Sequence, residues 1–154
     1  SRQAPENTMI TGFLSQVAAM RLAIESTIHR AVEERHHLIL EGVHVVPSEM
    51  DLKVQQGETV VVPIMLASMK KEMLRKQFKR RGREKNACQT SRYLENFDAI
   101  WELQAWLLEE ADEAGIPVIE NWNVEDTVRA ALDLVIGKLM KSFPPQPADE
   151  VWES

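Results

Sequence analysis

The stretch Leu38-Ile39-Leu40-Glu41-Gly42-Val43-His44-Val45-Val46-Pro47 decides how this chain is read. His37 to Glu41 is a short apolar run closed by Gly42, the pattern of a buried strand that ends in a turn. Upstream, Phe13, Val17, Met20, Ile24, Ile28 and Val32 recur at helical spacing and predict a long amphipathic helix over about residues 9–34. Downstream, Val43 to Glu58 contains Pro47, Asp51 and Gly57 and reads as a loop. Thr59 to Ala67 is β-branched and apolar, a second buried strand in which Pro63 implies an edge or an irregularity.

The same alternation continues to the end. A second long helix is expected over about residues 91–114, stopped by Gly115 as its C′ residue. Its apolar residues, Leu94, Phe97, Ile100, Trp101, Leu107 and Leu108, cover more than one face and predict burial on two sides. Ile116 to Glu120 reads as a third strand. Asn123 then caps a last helix, with Glu125 and Asp126 in its favourable first turn. Val128, Ala131, Leu132, Val135, Ile136, Leu139 and Met140 form a regular i, i+3, i+4, i+7 stripe along that helix. Helices alternating with short, wholly apolar strands predict an α/β fold, a parallel sheet with flanking helices. Beginning on a helix and offering only three strands, the chain reads as such a domain lacking its first strands. The domain is expected over residues 1–143, with a loose tail at 144–154.

Composition narrows the classes. At 154 residues the chain fits one domain with a real core, and 44% apolar with 27% charged residues is ordinary for a globular protein. No apolar run approaches the roughly 20 residues of a membrane helix, and Ser1 to Thr8 carries no signal pattern. Cys88 stands alone, so neither an internal disulfide nor a cysteine zinc cluster can form. A soluble, cytoplasmic protein without membrane contact is expected.

The net charge of −6 is unevenly spread, because ten of the 18 lysines and arginines fall between Met69 and Arg92. Such a segment needs anionic company or plain solvent. It can be a solvated helix face. It can bind nucleic acid, although Phe78 is its one aromatic residue and the acidic remainder would repel phosphate backbones, so no nucleic-acid partner is expected. It can also be a mobile cover, hinged near Gly82, that brings guanidinium forks onto a phosphate.

Glu41 and His44 stand where a strand is expected to end, and open parallel sheets bind ligands beyond the carboxyl ends of their strands. A carboxylate there can hold a metal-bound water or orient a hydroxyl, and a histidine can contact an anion or move a proton. Equally, Glu41 can cap backbone amides while His44 is an ordinary loop residue. Reach argues against a metal cage joining His36, His37, Glu41 and His44: at about 3.3 Å per residue, His37 and Glu41 would lie roughly 13 Å apart along a strand. No protein metal site is expected. Trp101 and Trp106 have core spacing, whereas Trp122 follows a strand end and could border a ligand.

Three blocks together resemble the 2-phosphoglycerate kinase family of P-loop small-molecule kinases: Gly12-Phe13-Leu14-Ser15-Gln16, Ile39 to Pro47, and Arg92-Tyr93-Leu94-Glu95-Asn96-Phe97-Asp98-Ala99-Ile100. A weaker fourth is Ile116 to Asn121. The resemblance implies a nucleotide-kinase sheet, ATP with Mg2+, and phosphoryl transfer to a small phosphorylated acid. It implies Glu41 assisting magnesium or the acceptor hydroxyl, His44 near the acceptor, and a lid over residues 69–92. In that lid Arg80 and Arg81 would serve the transferring phosphate, Arg75 and Arg92 the substrate beside Gln16, and Arg83 the nucleotide, with Asn121 near its base. One departure is large. The Gly-x-x-x-x-Gly-Lys-[Ser/Thr] phosphate loop that such kinases need is absent from the 154 residues. It is expected upstream of Ser1, which makes this chain the distal part of a kinase, inactive alone. The missing first strand would then sit centrally, between 38–41 and 59–67, and leave an exposed groove. The other reading is a non-catalytic interaction module derived from such a kinase, and a homo-oligomer is compatible with either.

Overall fold

A computed structural model describes residues 8–50, 59–84 and 93–144. It is a mixed α/β structure built from helix α1 (Thr8–Glu33), strand β1 (Met65–Ala67), helix α2 (Lys71–Glu84), helix α3 (Phe97–Glu113), strand β2 (Val118–Glu120) and helix α4 (Val124–Ser142). A single 3-10 turn, Pro47–Glu49, follows the decisive stretch. The two strands form a parallel sheet in which Met65, Leu66 and Ala67 face Val118, Ile119 and Glu120. Helix α3 packs against β1, α4 against β2, and α1 against α3 and the 3-10 turn.

Local chemistry explains the ends of these elements. Helix α3 stops as Gly115 takes a left-handed backbone, φ 63°. Its N–H donates to Asp112 O, and Ile116 N donates to Ala111 O, the two bonds of a Schellman motif. The same motif closes α1, with Arg35 N donating to Val32 O and His36 N to Ala31 O. Here, however, the left-handed residue is not glycine, since Arg35 has φ 53°. A Cβ in that region strains the backbone, so Arg35→Gly is expected to stabilise the fold by about 1 kcal/mol. Chemical denaturation of the two proteins checks the sign; a loss of stability would mean that the arginine side chain contributes more than the strain costs.

Several expectations are corrected. Residues 38–41 carry no strand: they pair with neither β1 nor β2. Leu38 is exposed and Ile39 is 96% exposed. An isolated apolar run has no hydrogen-bonding neighbour to hold it as a strand, and the strand expected beside it is not among the described elements. The strand expected over 59–67 shrinks to Met65–Ala67 because Pro63 offers no N–H to a ladder. Within the helix expected over about 91–114, residues 93–95 are helical, Asn96 (φ −100°, ψ 19°) interrupts, and α3 runs on from Phe97; residues 91 and 92 lie outside the described residues. Gly82, expected as a hinge, lies inside α2.

The core is small. Phe13 and Val17 from α1 meet Val46 from the loop, and Leu103, Trp106 and Leu107 of α3 pack on them. Trp106 is thereby the core residue its spacing predicts. Phe13 meets its indole edge-on, at 6.1 Å between ring centroids. Ser48 Oγ donates to Glu110 Oε2 at 3.1 Å, tying the 3-10 turn to a buried carboxylate of α3. The α4 stripe does not enter this core: Val128, Leu132, Ile136, Leu139 and Met140 are all exposed. Thr127 is the buried residue of α4, and Ala130, Ala131, Leu134 and Gly137 on its side of the helix are half-buried.

Candidate functional site

The carboxyl ends of β1 and β2 carry the first half of the candidate site. After Ala67 the chain is clamped by Gln104 of α3. Its Oε1 accepts from Ser68 N at 3.0 Å and its Nε2 donates to Ser68 O at 2.9 Å. One amide thereby satisfies both backbone groups of a buried residue that has left the sheet. Beyond β2, Asn121 N donates to Ala67 O at 2.8 Å, and Asn121 O accepts from Gln77 Nε2 of α2. The basic helix is thus tied to the end of the sheet. Between them lies a cleft of about 280 Å³ lined by Lys70, Met73, Glu120 and Trp122. Trp122 is 60% exposed and offers its ring to the cleft's occupant. An indole face, a thioether, an ammonium and a carboxylate suit a planar heterocycle with polar edges.

Asn123 fixes the floor of this region as the cap of α4. Its Oδ1 accepts from Asp126 N at 2.8 Å, and its Nδ2 donates to the Asp126 carboxylate. That hydrogen bond, with lesser help from Trp122 and Arg129, holds the Asp126 carboxyl below its ordinary 3.8. A depressed carboxylate pKa contributes stability that is complete above the ordinary value and is lost as pH falls through the lowered one. As the loss of an N-cap, Asn123→Ala is expected to cost about 1 kcal/mol at neutral pH. It should also weaken the acid dependence of the melting temperature, and thermal melts at neutral and acid pH read both effects.

The second half forms where α1 meets the loop after Gly42. His44 Nε2 lies 3.0 Å from Gln16 Oε1, and the His44 ring stacks on Phe13 at 5.5 Å. The pairing engages Nε2, and the donor and acceptor roles of the two ring nitrogens follow the tautomer. Gln16 and His44, 28 positions apart, are thus brought together. Phe13, the platform beneath the ring, was legible in sequence only as a core residue. Glu41 is solvent-exposed beside them in the chain. Among the described residues, no group of three or more His, Cys, Asp or Glu could hold a metal ion. A shallow depression of about 320 Å³ along α1 is lined by that one helix only and gathers nothing from elsewhere in the fold.

The lid residues are placed unevenly. The Arg75 guanidinium sits 4.5 Å from the centroid of the Phe97 ring, and Lys71 Nζ bonds Asp98 Oδ1 at 2.7 Å, which pulls the Asp98 carboxyl below its ordinary value. Phe78 stacks on Tyr93 at 5.3 Å and meets Phe97 edge-on at 6.1 Å. Helix α2 is thus docked on α3 by an aromatic cluster, and Arg75 is part of the dock. Arg80 is exposed on α2. Arg81 and Arg83 belong to the backbone of α2. Arg92, Lys85 and Cys88 lie outside the described residues. Sequence reasoning missed Gln77 and Gln104; uncharged amides that bind backbone carry no motif. No described helix is long and apolar enough to cross a membrane.

No family model and no solved structure matches the chain. Among curated proteins it is similar to the 2-phosphoglycerate kinase of Methanopyrus kandleri, 34% identical over 137 residues, covering 88% of this chain and 42% of that protein. It is likewise similar to the 2-phosphoglycerate kinase of Methanococcus maripaludis strain C7, 35% identical over 140 residues, 91% of this chain and 44% of the relative. The namesake from Pyrococcus horikoshii is 29% identical over 136 residues, again 88% and 44%. The chain spans less than half the length of the curated relatives it matches. Over that span the chain belongs to the 2-phosphoglycerate kinase family.

Proposed function

We propose that this chain is the distal part of an ATP-dependent kinase that phosphorylates a small phosphorylated acid of the 2-phosphoglycerate class. The observation that carries the reading is the Gln16–His44 hydrogen bond, because it joins two separate blocks of the family resemblance at one point in space. On this reading His44, seated on Phe13 and paired with Gln16 through Nε2, presents its other ring nitrogen to the acceptor. Glu41, exposed three positions earlier, orients the acceptor hydroxyl. The cleft beside Asn121 takes the base, with Trp122 as its stacking face. Residues 69–92 form the lid, and Arg80, exposed on α2, is its free guanidinium for phosphate, with Arg81, Arg83 and Arg92 in the same segment.

The residues in hand fit a base and an acceptor. They do not fit the triphosphate or its Mg2+, for the glycine loop is absent from the sequence and no acidic cluster converges among the described residues. No step is therefore assigned to either group here, and the phosphate cradle is assigned to chain outside these residues.

The test is an ATP-dependent assay with 2-phosphoglycerate and related acids, run on the polypeptide read in frame through the codons upstream of Ser1. The 154-residue chain is its control. Turnover by the longer protein only is expected, and His44→Ala in it should lower kcat/KM by about 100-fold. Turnover by the chain alone would refute the division of labour. An upstream glycine loop without any kinase activity would refute the kinase reading. A second reading, the interaction module, draws on the open edge of β1 and the unpaired Leu38–Leu40 run. Absence of an upstream glycine loop would favour it.

A further inference from the structure

Helix α4 is apolar on two opposite sides, and among the described residues only one of them is covered. Its inner side, toward β2, carries small residues around the buried Thr127. Its outer side carries the larger ones: Val124, Val128, Leu132, Ile136, Leu139 and Met140 are 41–70% exposed and recur at three- and four-residue spacing, hence along one face. A helix that packs on a sheet needs one apolar face, and a second marks another packed layer. A strand added at the free edge of β1 would not reach it, because this face points away from β2.

We propose that this face of α4 pairs antiparallel with the same face of a second copy of the chain, about a two-fold axis passing near Ala131 and Leu132. Three observations select that occupant. The first is area: the exposed parts of the six residues amount to about 600 Å² per copy, so two copies can bury up to about 1,200 Å², the lower bound of specific interfaces. The second is charge. Arg129 and Asp133, both exposed, lie one turn apart on one flank of the face. A perpendicular two-fold keeps that flank on the same side in both copies and sets each Arg129 against the other's Asp133. The third is register: the apolar run from Val124 to Met140 and the Arg129–Asp133 pair share a midpoint within one residue, so a single axis satisfies both. Antiparallel helix dipoles add a favourable term. Arg129 now bonds Glu125 at 3.2 Å in an exposed i,i+4 pair, and such pairs are weak enough to be shared.

The experiment is sedimentation equilibrium of the full 154-residue chain, without nucleotide, from low to high micromolar concentration. A reversible monomer–dimer equilibrium is expected. Leu132→Glu should weaken it at least about 100-fold, with unchanged circular dichroism because residue 132 is exposed in the single chain. Asp133→Arg should weaken it about tenfold, and the swap Arg129→Asp with Asp133→Arg should restore it, which a merely sticky surface would not do. A monomer at every concentration would overturn the proposal and leave the face to a different chain. A dimer that survives Leu132→Glu would place the interface elsewhere and overturn it equally. None of these readouts depends on catalysis, so the kinase reading stands or falls separately.

Discussion

Phe97→Ala is expected to lower the unfolding free energy by about 3–5 kcal/mol, a large fraction of the roughly 5–15 kcal/mol that holds a typical domain folded. Phe97 is 1% exposed, the largest of the fully buried side chains, and opens α3. Its ring receives the edge of Phe78 and the guanidinium of Arg75, so one side chain both fills the interior and docks α2. Removing it leaves a cavity that a helix terminus and a two-stranded sheet cannot collapse around. Phe97→Leu separates the two roles. It keeps most of the volume and loses the ring contacts, and should cost about 1–2 kcal/mol. Urea titrations followed by circular dichroism measure both. Equal losses for alanine and leucine would show that the aromatic contacts, rather than the filled volume, hold α2 in place.

Gln104→Ala is the second large effect, expected at about 2–4 kcal/mol. Ser68 is buried, and Gln104 is the partner of both its N–H and its carbonyl. Alanine strands two desolvated backbone groups at once. Gln104→Glu retains an acceptor for Ser68 N–H but sets a carboxylate against Ser68 O, so it should recover less than half of the loss. Because Ser68 links β1 to α2, the alanine variant should also loosen the cleft at Lys70, Met73 and Trp122. The emission of the exposed Trp122 is the local readout, after Trp101, Trp106 and Trp152 are replaced by phenylalanine. Full stability in Gln104→Ala would mean that water replaces the amide and that the clamp is dispensable.

The helices were legible in sequence for local reasons. Phe13, Val17 and Ile24 are buried at the spacing that marked α1. Gly115 adopts the left-handed cap and Asn123 the N-cap that their residue types foretold. The pairing of Gln16 with His44 was foreshadowed only by the family resemblance, because a contact across 28 positions has no local pattern. The Arg35 cap was invisible for the opposite reason: sequence marks left-handed residues by glycine, and here the tertiary fold imposes the geometry on an arginine.

By itself the sequence determined the α/β alternation, the helix ends and the family, since period, caps and motif blocks are properties of neighbouring residues. Only the tertiary structure decided which apolar segments are buried. Leu38, Ile39 and the outer face of α4 have the composition of interior elements and lie in solvent, whereas Phe97, one apolar residue among many, became the keystone. Burial belongs to pairs of surfaces. A segment's own residues fix whether it wants a partner, and the rest of the fold fixes whether it has one.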